Sequence, residues 1–167
     1  TGMSRLSKNN AGFSLLEVMM AVFLLSIIFL AVSSLYIASQ KFYLASSQKV
    51  IIGYEVQYAI QHIYKNTMRS IGDEVAPPAT SAVYVVNSER VDLRIPNNNP
   101  VSRANYNDVT TYSYYKSGNT LIFNNGSSQE SLIPKVAVSA VNFAKDGNAL
   151  TGYITASYGT QTATFYF

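Results

Sequence analysis

The sequence has no cysteine, no tryptophan and a single histidine in 167 residues. Without thiols it can form neither a disulfide nor a thiolate zinc site, so packing and strand pairing must hold it together. The lone histidine, His62, lies among Gln and Lys on the polar side of a helical pattern, which describes a solvated residue better than a general base. Acidic residues are dispersed, with only Asp73 and Glu74 adjacent in an uninterrupted pair, and there is no Gly-rich phosphate loop or metal-ligand spacing. The reading is a protein that is not an enzyme. Charge is scarce too: 13% of residues are charged and the net value is +3. Arg5 and Lys8 carry two of those charges, which leaves about +1 for the rest, with no basic stripe of the kind a nucleic-acid binder shows.

A further absence organises the chain. From Phe13 to Ala38 there is no Pro, no Gly and no charge except Glu17. About 20 apolar residues rising 1.5 Å each cross a bilayer's hydrocarbon core. Ser26, Ser33 and Ser34 do not break such a span, because a helix returns their hydroxyls to its own carbonyls. Glu17 is the anomaly: a charge at mid-bilayer costs roughly 2.5–3.5 kcal/mol and calls for a partner. The basic leader in front of the span places the N-terminus in the cytoplasm and the bulk of the chain outside.

A polar leader with Arg5 and Lys8, then Gly12, Phe13, Glu17 and a long apolar helix resembles the class III signal of type IV pilins and type II secretion pseudopilins. The resemblance covers Asn9 to Gln40. It implies that a prepilin peptidase cuts between Gly12 and Phe13 and methylates the Phe13 amine. It also implies that Glu17 pairs with the Phe13 amine of a neighbouring subunit as helices pack into a filament. An isolated carboxylate and an isolated ammonium are each costly in hydrocarbon and largely cancel when paired, so the pair sets register more than strength. Thr1-Gly2 ahead of Met3 reads as a cloning remnant.

Beyond Ser39 the helical pattern becomes amphipathic. Ile52, Val56, Ala59, Ile60, Ile63 and Ile71 form one stripe, with Glu55, His62, Lys65 and Arg69 off it. One helix is expected from Phe13 to Ile71, weakened at Gly53, capped by Gly72 and closed off by Pro77-Pro78. From Thr80 the period becomes two. Ala82–Val86 and Arg90–Ile95 read as a hairpin with Val91, Leu93 and Ile95 inward, and 96–107 as a long Asn- and Pro-rich loop. Val109–Lys116 and Thr120–Asn124 form a second hairpin. Val136–Ala144, Ala149–Tyr158 and Gln161–Phe167 form a C-terminal meander.

The expected fold is α+β: a long N-terminal helix on one antiparallel sheet of about six or seven strands. The expected organisation is a leader at 1–12, a membrane and assembly helix at 13–38, its amphipathic second half at 39–72, and a β head at 73–167. This order is also similar to the pilin family. The run Tyr114–Phe123 followed by a Val-rich strand resembles J-type pseudopilins and PilW-like minor pilins.

The resemblance implies a minor structural subunit of a pilus or pseudopilus, whose partners are other subunits, the peptidase, the inner-membrane assembly platform and lipid. A major pilin, a filament-displayed adhesion or DNA-binding module, and a never-processed anchored protein are the alternatives. No cofactor is expected. Asn105, Asn107 and Asp108, and the Asp146-Gly147-Asn148 turn, offer oxygen ligands of the sort Ca²⁺ accepts, but they are also ordinary turn residues. Arg90 and Arg94 share a strand face, with Arg103 near in sequence, and Asn125-Gly126-Ser127 matches a glycosylation acceptor pattern.

Overall fold

A computed structural model of the chain describes residues 14–71, 81–97, 108–147 and 149–167. The leader with Gly12 and Phe13, the expected cap Gly72, Pro77-Pro78 and most of the loop before Val109 lie outside the described residues. The chain divides into two compact units, Thr1–Tyr43 and Leu44–Phe167.

Helix α1 spans Leu15–Thr67, 53 residues, with Gly53 its only glycine and no proline. In the first unit every described side chain, Ser14 to Tyr43, is exposed. In the second unit the helix buries Ile52, Glu55, Val56, Ala59, Ile63 and Asn66. It stops at Thr67, four residues short of the expected Ile71. Its exit tightens to three-residue bonds, Arg69 N–H to Asn66 O and Ser70 N–H to Thr67 O, and the Ile71 N–H is taken by the Arg94 carbonyl at 2.9 Å. A sheet carbonyl thus replaces the next helical turn.

A Cβ at Gly53 would meet no atom within 4 Å. Gly53→Ala is therefore expected to raise stability by about 0.5–1 kcal/mol, through helix propensity and a less flexible unfolded chain. Thermal unfolding of the two proteins checks this, and a lower midpoint would contradict it.

The head has eight strands among the described residues, arranged as two antiparallel sheets rather than the single sheet expected. The first runs in order β1 (Val83–Asn87), β2 (Arg90–Pro96), β3 (Val109–Ser117), β4 (Thr120–Asn124) and β5 (Gln129–Ser131). The second runs β6 (Ala137–Asp146), β7 (Ala149–Tyr158) and β8 (Gln161–Tyr166). Three exposed polar residues make β5, so it offers no alternation to read. Between β5 and β6 the chain buries Leu132, Ile133 and Val136 and passes Pro134, which has no N–H to extend a ladder. Strand β6 then lies across the hairpin turns of the first sheet. Its Phe143 N–H reaches Ser88 O and its Val138 N–H reaches Asn119 O, both at 2.7 Å.

The core follows the predicted alternation. Val91, Leu93 and Ile95 of β2 face inward with Tyr114, Leu121 and Phe123, and meet helix residues Ile52, Val56 and Ile63 together with Val138 and Ile154 of the second sheet. In β8, Ala163 and Phe165 turn towards this core, as does Phe167 just beyond the strand.

Candidate assembly site

The N-terminus of α1 is built by a reciprocal cap. The Ser14 N–H donates to Glu17 Oε2 at 2.9 Å, and the Glu17 N–H donates to Ser14 Oγ at 3.3 Å. Ser-x-x-Glu is the capping-box pattern, and it satisfies two of the donors that a helix start leaves open. The sequence Ser14-Leu15-Leu16-Glu17 carries this signal. Glu17 is exposed in the first helical turn, where the helix dipole favours a negative charge.

Downstream of the cap the helix holds an 18-residue window of mean hydropathy 2.7, none of it buried within the chain. Leu15, Leu16, Phe23, Leu24, Phe29 and Leu30 are each more than half exposed. Ser26 and Ser34 return their hydroxyls to Val22 O and Ala31 O at 2.8 Å, as the sequence implied. By length and composition this segment suits a bilayer or a packed bundle of like helices. The two residues flanking the expected cut, Gly12 and Phe13, lie outside the described residues.

In the head, His62 is not the solvated residue the sequence suggested. It is half-buried, with its ring edge-on to Phe123 at a centroid distance of 4.6 Å. Its Nδ1 lies 3.0 Å from Tyr114 Oη, a hydroxyl that also accepts a hydrogen bond from Asn66 Nδ2 at 2.7 Å. The same hydroxyl lies 3.4 Å from the His62 carbonyl, and the imidazole tautomer decides whether Tyr114 donates to Nδ1 or accepts from it. Fully buried Tyr114 has its pKa raised, chiefly by burial. The group ties helix to sheet.

Burial lowers the His62 pKa from its ordinary 6.5, with nearby Lys65 adding to the fall and Glu130 opposing it. Well above pH 6.5 the ring is neutral in both folded and unfolded chains. As pH falls below that value the unfolded chain takes up the proton first, so stability drops until the folded ring also protonates. The expected slope stays below the one-proton ceiling of about 1.4 kcal/mol per pH unit, because the ring is partly solvated. Unfolding midpoints of wild type and His62→Gln compared from pH 7 to pH 5 test this. Equal pH slopes would remove His62 from the account.

Glu55 also departs from expectation. It is buried, and its nearest cation is Lys135 Nζ at 3.9 Å. Its spacing, three residues after Ile52 and four before Ala59, placed it on the buried stripe, but its charge argued otherwise. Arg90 is committed to Asp92 by two bonds of 2.9 and 3.1 Å and lies over the Tyr115 ring. Arg94 shares its face, and Arg103 lies outside the described residues. Asp108 accepts from Asn97 Nδ2 at 2.6 Å, while Asn105, Asn107 and Asn148 lie outside the described residues. Asn125 Oδ1 accepts from the N–H groups of Ser127 and Ser128, which makes it a turn former.

No curated protein and no solved structure matches the chain. Residues 7–33 match the prokaryotic N-terminal methylation motif, a span that contains the leader junction, the Ser14–Glu17 cap and most of the apolar window. That match supports the class of type IV pilins and secretion pseudopilins.

Proposed function

We propose that the chain is a minor structural subunit of a type IV pilus or a type II secretion pseudopilus. The observation that carries this is the methylation motif at residues 7–33, continuous with an apolar helix whose side chains are all exposed up to Tyr43. In this reading the precursor is held in the inner membrane by α1, with the leader inside and the β head outside. The peptidase cuts between Gly12 and Phe13, and the Phe13 amine is methylated. Glu17 then pairs with that amine on a neighbouring subunit. A carboxylate offers about four lone-pair sites, so a bond to the Ser14 N–H leaves acceptor capacity for an ammonium. The exposed helix leaves the membrane by exchanging lipid for other helices.

Intact mass and N-terminal sequencing of the protein recovered from its native membrane test the proposal. A chain beginning at N-methylated Phe13 supports it. An uncut chain in cells with an active peptidase leaves an anchored β head and defeats it.

A further inference from the structure

The proposed pairing of Glu17 leaves the other carboxylate of α1, Glu55, without a role. A cavity of about 520 Å³ is lined by Val50, Ile51, Tyr54, Glu55, Lys135 and Tyr158. The Glu55 side chain keeps only 9% of its surface, yet at 3.9 Å its lysine partner stands beyond the roughly 2.7–2.9 Å of a charge-assisted hydrogen bond. Lys135 is itself 73% exposed, so its ammonium stays hydrated and compensates weakly. Among the described residues nothing donates a hydrogen bond to the Glu55 carboxylate. Beside it, Val50 and Tyr54 are more than 70% exposed.

We propose that this cavity receives a lysine or arginine side chain from a neighbouring filament subunit. The aliphatic stem lies along Val50 and Ile51, the charged head passes between Tyr54 and Tyr158 to reach Glu55, and Lys135 turns out to solvent. A cation on an apolar stem matches aromatic walls around one carboxylate. A divalent metal does not, because it needs several oxygen ligands and the cavity offers one carboxylate. The inference rests on the pilin-class reading, since it takes the neighbour to be a subunit.

The test uses full-length Glu55→Gln, Tyr54→Ala and Lys135→Ala in native cells. Precursor level, leader removal and thermal stability are followed alongside incorporation into sheared filaments. Glu55→Gln is expected to lower incorporation at least about tenfold, with level and processing unchanged. Tyr54→Ala, at an exposed position that does not endanger folding, lowers it several-fold. Lys135→Ala removes the competing ammonium and raises it.

Loss of incorporation in Lys135→Ala parallel to that in Glu55→Gln would mean that the pair serves only its own chain. That result, or wild-type incorporation of Glu55→Gln, overturns the inference. Wild-type chain that is uncut and missing from filaments defeats the class reading itself. Wild-type chain present in filaments but indifferent to Glu55 defeats this inference alone.

Discussion

Glu17→Gln is expected to be inserted and cut like the wild type, yet to reach filaments about a hundredfold less, the factor that an uncompensated charge of roughly 2.5–3.5 kcal/mol implies. Two roles meet at this side chain, and the substitution separates them. Gln at the third helical position keeps the capping box with Ser14, whereas it cannot neutralise the Phe13 amine of a neighbour. Glu17→Ala loses both, and it should also cost about 1 kcal/mol of helix stability. Comparing the two variants in sheared filament fractions, against equal membrane levels, reads the charge apart from the cap. If Glu17→Gln assembles normally while Glu17→Ala does not, the carboxylate acts as a cap and the proposed pairing is wrong.

The second large effect is expected in the head. Gly152 sits in the middle of β7, opposite Phe143 of β6, and exchanges both backbone bonds with Phe167 at 2.9 and 3.1 Å. A Cβ there would collide with the Asn142 carbonyl oxygen and stand 3.0 Å from the tip of the Phe167 ring. The Phe143 and Phe167 rings close over this gap edge to face, with centroids 6.1 Å apart. A backbone carbonyl held in a ladder cannot rotate aside as a side chain can. Gly152→Ala should therefore cost about 3 kcal/mol or more, a large part of the 5–15 kcal/mol that holds an ordinary domain together. The melting midpoint should drop by about 6–12 °C for a protein of this size. Thermal unfolding in detergent measures it, with Gly53→Ala as the glycine whose loss helps. A Gly152→Ala midpoint within about a degree of wild type would show that β6 yields easily.

These two glycines illustrate what could be read in the sequence. Both interrupt an otherwise regular pattern, and only the spatial neighbours distinguish open solvent at Gly53 from a carbonyl at Gly152. The hairpins were legible because one face of each strand is buried and the side-chain period is two, as in Val91, Leu93 and Ile95. Strand β5 carries no such signal, and the split into two sheets depends on β6 crossing the turns at Ser88 and Asn119, contacts that no local pattern encodes. On the helix, apolar periodicity located the buried stripe but mistook its polar members. Glu55 has the right spacing, and His62 lies at the edge of the stripe. A count of apolar residues cannot show that Phe123 and Tyr114 would cover an imidazole.

Among the described residues, every ladder in the head joins strands that are consecutive in the chain. If the chain crosses a membrane from its N-terminus onward, each new strand finds its partner already delivered, and none waits unpaired for a distant one. Local pairing of this kind keeps contact order low for a β protein and shortens the time during which strand edges are open to other chains. The bonds that reach farther along the chain, among them Phe143 to Ser88, Asn66 to Tyr114 and Thr160 to Gln48, can close last, once the elements they join exist to receive them. The topology thus suits a domain that folds in the order in which it is made.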